Sequence, residues 1–215
     1  MPKLKPETQS ARREHILDAA ERCFAQAGFH RTTMHDICRM AGVSPGALYV
    51  YFDSKEALIE GIVERDRSEF AEHLAELGEA TDFMAALESI GSYYLDPARA
   101  HKSQLCIEIG LEATRNERIR EIFSRVDREI SESFERLFGR LQAEGRIAPK
   151  LDIPSVTAAF SLIGDGMFWR HTVHPQDFKA EVVMPLVLEL VRGLLNPTER
   201  TLPAHSPTIT RPEGL

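Results

Sequence analysis

Tyr49, Tyr51 and Lys55, trailing a Ser44-Pro45-Gly46 start, are the side chains of this sequence best suited to one chemical task. That task is holding a polyanion, because phenol hydroxyls, an ammonium group and the N–H groups of a helix N-terminus all bind phosphate oxygens. Two other chemistries can be weighed from spacing. His35 and Cys38 stand three apart, with His30 upstream, and His171 and His174 repeat the interval. Neither group has a full ligand set at zinc-like spacing, so no metal is expected. Nucleophilic catalysis would need a nucleophile, a base and an orienting acid, and no G-x-S-x-G occurs. "GDGMFW" lies within a helical pattern and has no strand before it, so it is not a phosphate-cradling loop. No enzymatic activity and no cofactor are expected.

The elements that must position the tyrosines are written in "TTMHDICRMAGVSPGALYVYFDSK", residues 32–55. Thr33 followed by Asp36 predicts a capping box, and Met34, Ile37 and Ala41 form a short apolar face. Gly42 supplies the left-handed residue that ends a helix. Ser44 then serves as N-cap, with Pro45 at the first helical position, where its missing N–H costs nothing. Two short helices joined by a tight glycine turn describe a helix-turn-helix. At about 100° per residue, Leu48 and Phe52 point inward while Gly46 and Val50 point out, flanked by Tyr49, Ala47 and Tyr51. A helix that starts small lets its backbone approach base edges in a major groove.

The stretch "GFHRTTMHDICRMAGVSPGALYVYFDSKEAL", residues 28–58, resembles the DNA-binding domain of the TetR family of bacterial regulators. The Thr-Thr start, Ala-Gly-Val-Ser turn, Leu-Tyr-x-Tyr-Phe helix and Ser-Lys-Glu restart occur together and in order. Carried over by position, the resemblance implies phosphate contacts from Thr33, Tyr51 and Lys55, with Ala47 at the phosphate-facing edge and Ser44 also among the DNA-binding residues. It implies base or groove contacts from His35, Pro45, Gly46 and Tyr49. His35 stands where many members have arginine, and Val50 where many have a polar or larger residue, so the operator sequence is left open.

Helical periodicity continues along the rest of the chain, and no convincing strand or hairpin is found. An all-α fold of about nine helices is expected. It would comprise a three-helix DNA-binding domain over residues 10–56 and a helical ligand-binding and dimerisation domain over 57–195. A basic arm (1–9, with Lys3 and Lys5) and a disordered Pro-rich tail (196–215) would flank them. Residues 1–60 are neutral, with eight basic and eight acidic side chains, and the remainder carries the whole net charge of −7. No run of about 18 apolar residues exists, so no membrane span is expected. Cys23, Cys38 and Cys106 form no CxxC pair and suit a reduced cytoplasm.

A ligand cavity is expected among the helices between residues 82 and 170. From the early helices its lining would take Phe83, Leu87, Ile90, Tyr94, Leu105 and Ile109. From the later ones it would take Phe123, Phe134, Phe160, Ile163 and Met167. Mixed aromatics with Met suit a small hydrophobic or aromatic effector. Glu108 and Asp165 are acids on otherwise apolar helices, able to hold a cationic or hydroxylated ligand or to pair with an arginine such as Arg170. The last helix has more apolar surface than one buried stripe needs, at Val182, Val183, Leu186, Val187, Leu190 and Leu194. With Phe168 and Trp169 this predicts a homodimer through the last two helices, since two operator half-sites need two copies. The expected function is a ligand-released repressor on a palindromic duplex, with an efflux or catabolic operon implied by the resemblance. Two alternatives stay open. One is an activator of the same fold; the other is a helical ligand- or metal-sensing protein acting through protein contacts.

Overall fold

The computed structural model describes residues 6–198, and their side chains from Gln9 onward. The expected arm lysines Lys3 and Lys5, and the tail beyond Thr198, lie outside the described residues. Among the described residues the fold is all helical. In order the helices are α1 (Pro6–Ala27), α2 (Met34–Ala41), α3 (Pro45–Tyr49), α4 (Lys55–Glu79) and α5 (Phe83–Tyr94). A 3₁₀ turn at Pro97–Arg99 leads into α6 (Ala100–Ala113), α7 (Glu117–Ala143), α8 (Ile153–Val173) and α9 (Ala180–Leu195). α1 starts inside the segment expected to be a loose arm, with Pro6 in the opening position that tolerates it.

The boundaries follow local chemistry. Side-chain oxygens of Ser54, Asp82, Asn116 and Asp152 each accept the N–H three residues on, starting α4, α5, α7 and α8. Gly28, Gly42 and Gly145 take positive φ at the ends of α1, α2 and α7, where a side chain would be strained. The Pro-rich tail does not begin freely at Asn196. Asn196 is itself left-handed and donates to the Ala148 carbonyl, and the Thr198 hydroxyl donates to Gly145.

The apolar residues gather in two clusters rather than one core. The first joins Ile16, Leu17, Phe24, Ile37, Leu48 and Phe52 to Leu58, Ile59 and Ile62 of α4. It also takes in Leu105, Ile109 and Ala113 of α6 and Ile119 and Ile122 of α7. The second holds Leu77, Phe83, Phe134, Phe138, Leu141, Val156, Val191 and Leu195. Only α4 and α7 place fully buried residues in both. Between them, residues 63–76 of α4 and 123–133 of α7 include no fully buried side chain.

Candidate DNA-binding and effector sites

The helix-turn-helix forms as its residue types dictate. Thr33 accepts the Asp36 N–H at 3.1 Å, and the Asp36 carboxylate accepts the Thr33 N–H at 3.0 Å and its hydroxyl at 2.6 Å. The Thr33 hydroxyl and then its backbone N–H hold the Asp36 carboxyl below the usual range. Ser44 Oγ accepts the Ala47 N–H at 3.2 Å, so α3 is capped at its start. The ring of His15 on α1 lies 2.8 Å from the Ala41 carbonyl and ties α1 to the end of α2. Leu48 and Phe52 are buried, and α4 crosses close above them at Gly61. A Cβ there would lie 2.9 Å from Leu17 Cδ2 and 3.0 Å from Phe52 Cε1.

What this scaffold exposes is the outer face of α3. Ser44, Pro45 and Gly46 are exposed, Tyr49 is 53% exposed and Val50, which closes the helix, 78%. Thr33 and His35 are exposed beside them at the start of α2. Ala47, Tyr51 and Lys55 are only half-exposed. Tyr51 packs against the first cluster. The Lys55 ammonium donates to the Phe29 carbonyl and lies 4.2 Å from the Phe29 ring centroid, which fixes it at the edge of the face. The structure therefore brings all nine predicted residues to one end of the molecule, with Thr33 and Ser44 also serving as caps.

The expected effector lining does not come together as one wall. Leu105 and Ile109 belong to the first cluster, and Phe83 and Phe134 are buried in the second. Leu87, Ile90, Phe160 and Ile163 pack against that second cluster, Met167 is half-buried, and Phe123 lies at the surface. Tyr94 sits between the clusters, where its hydroxyl meets His73 Nδ1 at 3.1 Å and its ring faces Phe168 edge-on. Burial foremost, with nearby Glu69, raises the Tyr94 phenol well above its usual range. A groove of about 270 Å³ runs between α4 and α7, lined by Ala71, Leu74, Ala75, Ser133, Arg136, Leu137 and Arg140, none of them in the expected set. Asp165 is exposed. Glu108 is half-buried, one carboxylate oxygen 3.3 Å from where a Gly28 Cβ would stand.

Sequence reasoning missed a polar junction between these regions. Glu21 on α1 is 2% exposed, and its carboxylate meets Arg65 of α4, which also bonds Asp18 at 2.7 Å. Lys102 of α6 bridges Asp66 at 2.9 Å and Glu69 at 3.0 Å. Glu69 takes Arg99 at 3.1 Å and the Tyr93 hydroxyl, and the Arg99 guanidinium lies 3.6 Å from the Tyr93 ring centroid. Burial works to raise the Glu69 carboxyl, but the hydrogen bonds of Tyr93 and Lys102 and the charges of Lys102 and Arg99 prevail and hold it at about 2. Among the described residues no group of three or more His, Cys, Asp or Glu side chains could hold a metal ion.

With that geometry in view, two family models match. That of the bacterial regulatory proteins of the tetR family covers residues 16–62, and that of the BetI-type transcriptional repressor C-terminal domain covers 84–196. The chain belongs to the TetR family. The regulator UidR of Escherichia coli K12 is 32% identical over 153 residues, 71% of this chain and 76% of that protein. The structure of Salmonella enterica GusR superposes with a TM-score of 0.74 at 28% identity, covering 86% of this chain and 96% of that one. SmeT, solved as a complex with triclosan, shares the fold with a TM-score of 0.75 at 21% identity, covering 95% and 100%. TetR-family members are transcriptional regulators, with a helix-turn-helix at the N-terminus and a helical domain after it. In this member no helix among the described residues is long and apolar enough to cross a membrane.

Proposed function

We propose that this regulator is an effector-released repressor, acting as a homodimer on a palindromic operator. The observation that carries the reading is the outer face of α3, where Gly46, Tyr49 and Val50 stand exposed on a helix whose other face is wholly buried through Leu48. Apolar and aromatic groups exposed side by side, rather than scattered singly, mark a surface that meets a partner. On this helix the partner is a DNA major groove, with His35, Pro45, Gly46 and Tyr49 at base edges and Thr33, Ser44, Ala47, Tyr51 and Lys55 along the phosphates.

Dimerisation has its own support. Leu162, Trp169 and Val173 of α8 and Val182, Leu186 and Leu190 of α9 are between 43% and 72% exposed. They recur at intervals of four and seven residues, so each helix shows one apolar stripe outward, as paired helices require. Val183, Val187, Leu194 and Phe168, expected at the same interface, turn partly inward. Leu186→Glu should therefore yield a monomer by light scattering with helical content intact.

The effector site is proposed for the belt between the two clusters, where Tyr94, Met167 and Phe168 are half-buried. Apolar and aromatic groups there suit a small hydrophobic effector. The same fold accommodates triclosan in SmeT. Its regulated genes would be its own and an efflux or catabolic operon.

The test is fluorescence anisotropy with the duplex upstream of its own gene, against a scrambled duplex, at two salt concentrations. Tight, sequence-preferring binding that falls steeply with salt is expected, because phosphate contacts release counterions. Tyr49→Ala should weaken it. Equal weak binding to every duplex, including those from a genome-wide selection, would remove the DNA-binding reading and favour protein contacts through the same face.

A further inference from the structure

Two nearly fully buried carboxylates join the head to the body, and they do so reciprocally. Glu21 lies on α1 of the head, and His101 Nε2 from α6 of the body approaches its Oε1 to 3.1 Å. Glu112 lies on α6 of the body, and His30 Nε2, just past α1, approaches its Oε2 to 2.8 Å. Both glutamates are 2% exposed, whereas the two histidine side chains are 39% and 63% exposed. Each carboxylate also keeps one arginine, Arg65 for Glu21 and Arg115 for Glu112. The pairs match Glu21 with His101 and then His30 with Glu112, so α1 and α6 run side by side in the same direction, pinned near both ends.

The contacts between the pins are mostly apolar, with the Glu108 carboxylate beside Gly28. Phe24 and Phe29 meet Leu105, Ile109 and Ile119 around a cleft with no room for a water molecule. Sliding α6 along α1 would part both pairs at once, and each carboxylate would lose a partner while still in low-dielectric surroundings. A buried charge without its partner is expensive, so positions between docked and released are disfavoured. Glu21 Oε1 already lacks an aligned hydrogen bond despite the nearby ring.

We infer that Glu21 and Glu112 are positioning residues, which fasten the DNA-reading head to α6 so that the two turn as one body against the distal cluster. The mechanical boundary of the molecule then lies in the belt across α4 and α7, not at the chain position where the helix-turn-helix ends. This rests on the reading of an effector-moved head. An effector in the belt would act on α6 and reach the recognition helix through both pins.

The test places spin labels in a Cys106→Ser background and dilutes labelled chain with unlabelled chain, so that only distances within one chain are read. One pair, Val50→Cys with Gln104→Cys, spans head to α6. The other, Val50→Cys with Gln142→Cys, spans head to the distal end of α7. The unaltered junction should give a narrow head-to-α6 distance distribution and a wider head-to-distal one. In His30→Ala/His101→Ala the first should widen to match the second, with the melting midpoint lowered but the fold kept at the temperature of measurement. If that variant does not stay folded there, Glu112→Gln keeps the side chain's size, removes its charge and should widen the same distribution. A head-to-α6 distribution that stays narrow in both variants, or is as wide as the other from the start, overturns the inference. Neither operator nor effector is needed, so such a failure leaves the regulator reading standing.

Discussion

The two apolar clusters are built differently. The proximal one is assembled mostly from aliphatic side chains of six helices around Phe24, Phe29 and Phe52, and its flank is sewn up by polar contacts among Glu21, Arg65, His101, Glu112 and His30. The distal one is built on an aromatic stack, with the ring centroids of Phe134, Phe138 and Phe160 4.7 to 5.6 Å apart and Phe70 at its edge. Aromatic packing against three helices makes a rigid anchor. The proximal core is instead tied to α6 by buried carboxylates at its flank, so it can turn only as a unit. On the proposed reading the distal cluster holds the chain's shape while the proximal cluster carries the moving part.

The largest effect should come from breaking the anchor. Phe138 is fully buried, and Phe138→Ala is expected to cost about 3–5 kcal/mol, the lost transfer energy plus a cavity. Hydrogen exchange should then quicken in α5, the second half of α7 and α9, while α1 to α3 keep their protection. Equal loosening at both ends would show that the clusters open together and that the division has no mechanical meaning.

A smaller effect should come from jamming the moving part. Gly61→Ala places a methyl 2.9 Å from Leu17 Cδ2 and 3.0 Å from Phe52 Cε1, both on buried side chains that cannot swing aside. The expected cost is about 1–3 kcal/mol, as for other overpacked cores. Because Phe52 anchors the recognition helix, operator affinity should fall further than global stability alone explains. Unaltered affinity in a destabilised variant would mean that α4 and α3 are not held in register at this crossing.

The head was legible in the sequence because its signals are local. Thr33 with Asp36, Gly42, Ser44 and Pro45 act within three or four residues of themselves, so capping and turn chemistry can be read straight from the chain. The caps at Ser54, Asp82, Asn116 and Asp152 act over the same short range, each side chain bonding the N–H three residues on. The effector wall was not, because every long helix carries apolar residues and periodicity cannot say which cluster each will join. Leu105 and Ile109 have the same pattern as Ile90 and Ile163, yet they went to opposite ends. The Glu21–His101 pair spans eighty positions, and only one hint of it was visible. Glu21 falls four residues after Leu17 and three before Phe24, an acid set on an apolar stripe, which signals a partner without naming it.

The smallest expected effect is also the one that separates the two ends of the polar junction by sign. Glu69, on the belt side, has its carboxyl held at about 2 against an ordinary 4.5. A depressed acid stabilises the fold above its unfolded value, so that contribution is present at neutral pH and is lost as pH falls from about 4.5 towards about 2. Glu21, on the head side, is pushed the other way, by burial first and by Asp66 next, despite Arg65, Lys102 and His101. A raised acid favours the fold in its protonated form, so its contribution grows as pH falls and is lost as pH rises through the folded value. The comparison to make is the urea midpoint of Glu69→Gln and of Glu21→Gln, each against the parent, from neutral pH down to about 4 and below. The gap between the parent and Glu69→Gln should close on acidification. The gap between the parent and Glu21→Gln should open. Side chains around Glu69 are partly solvated, so its gap at neutral pH is expected to be under about 1 kcal/mol, and the slopes are the readout. If the two gaps change in the same direction, the junction titrates as one uniform cluster, and the contrast between a head-side and a belt-side carboxylate fails.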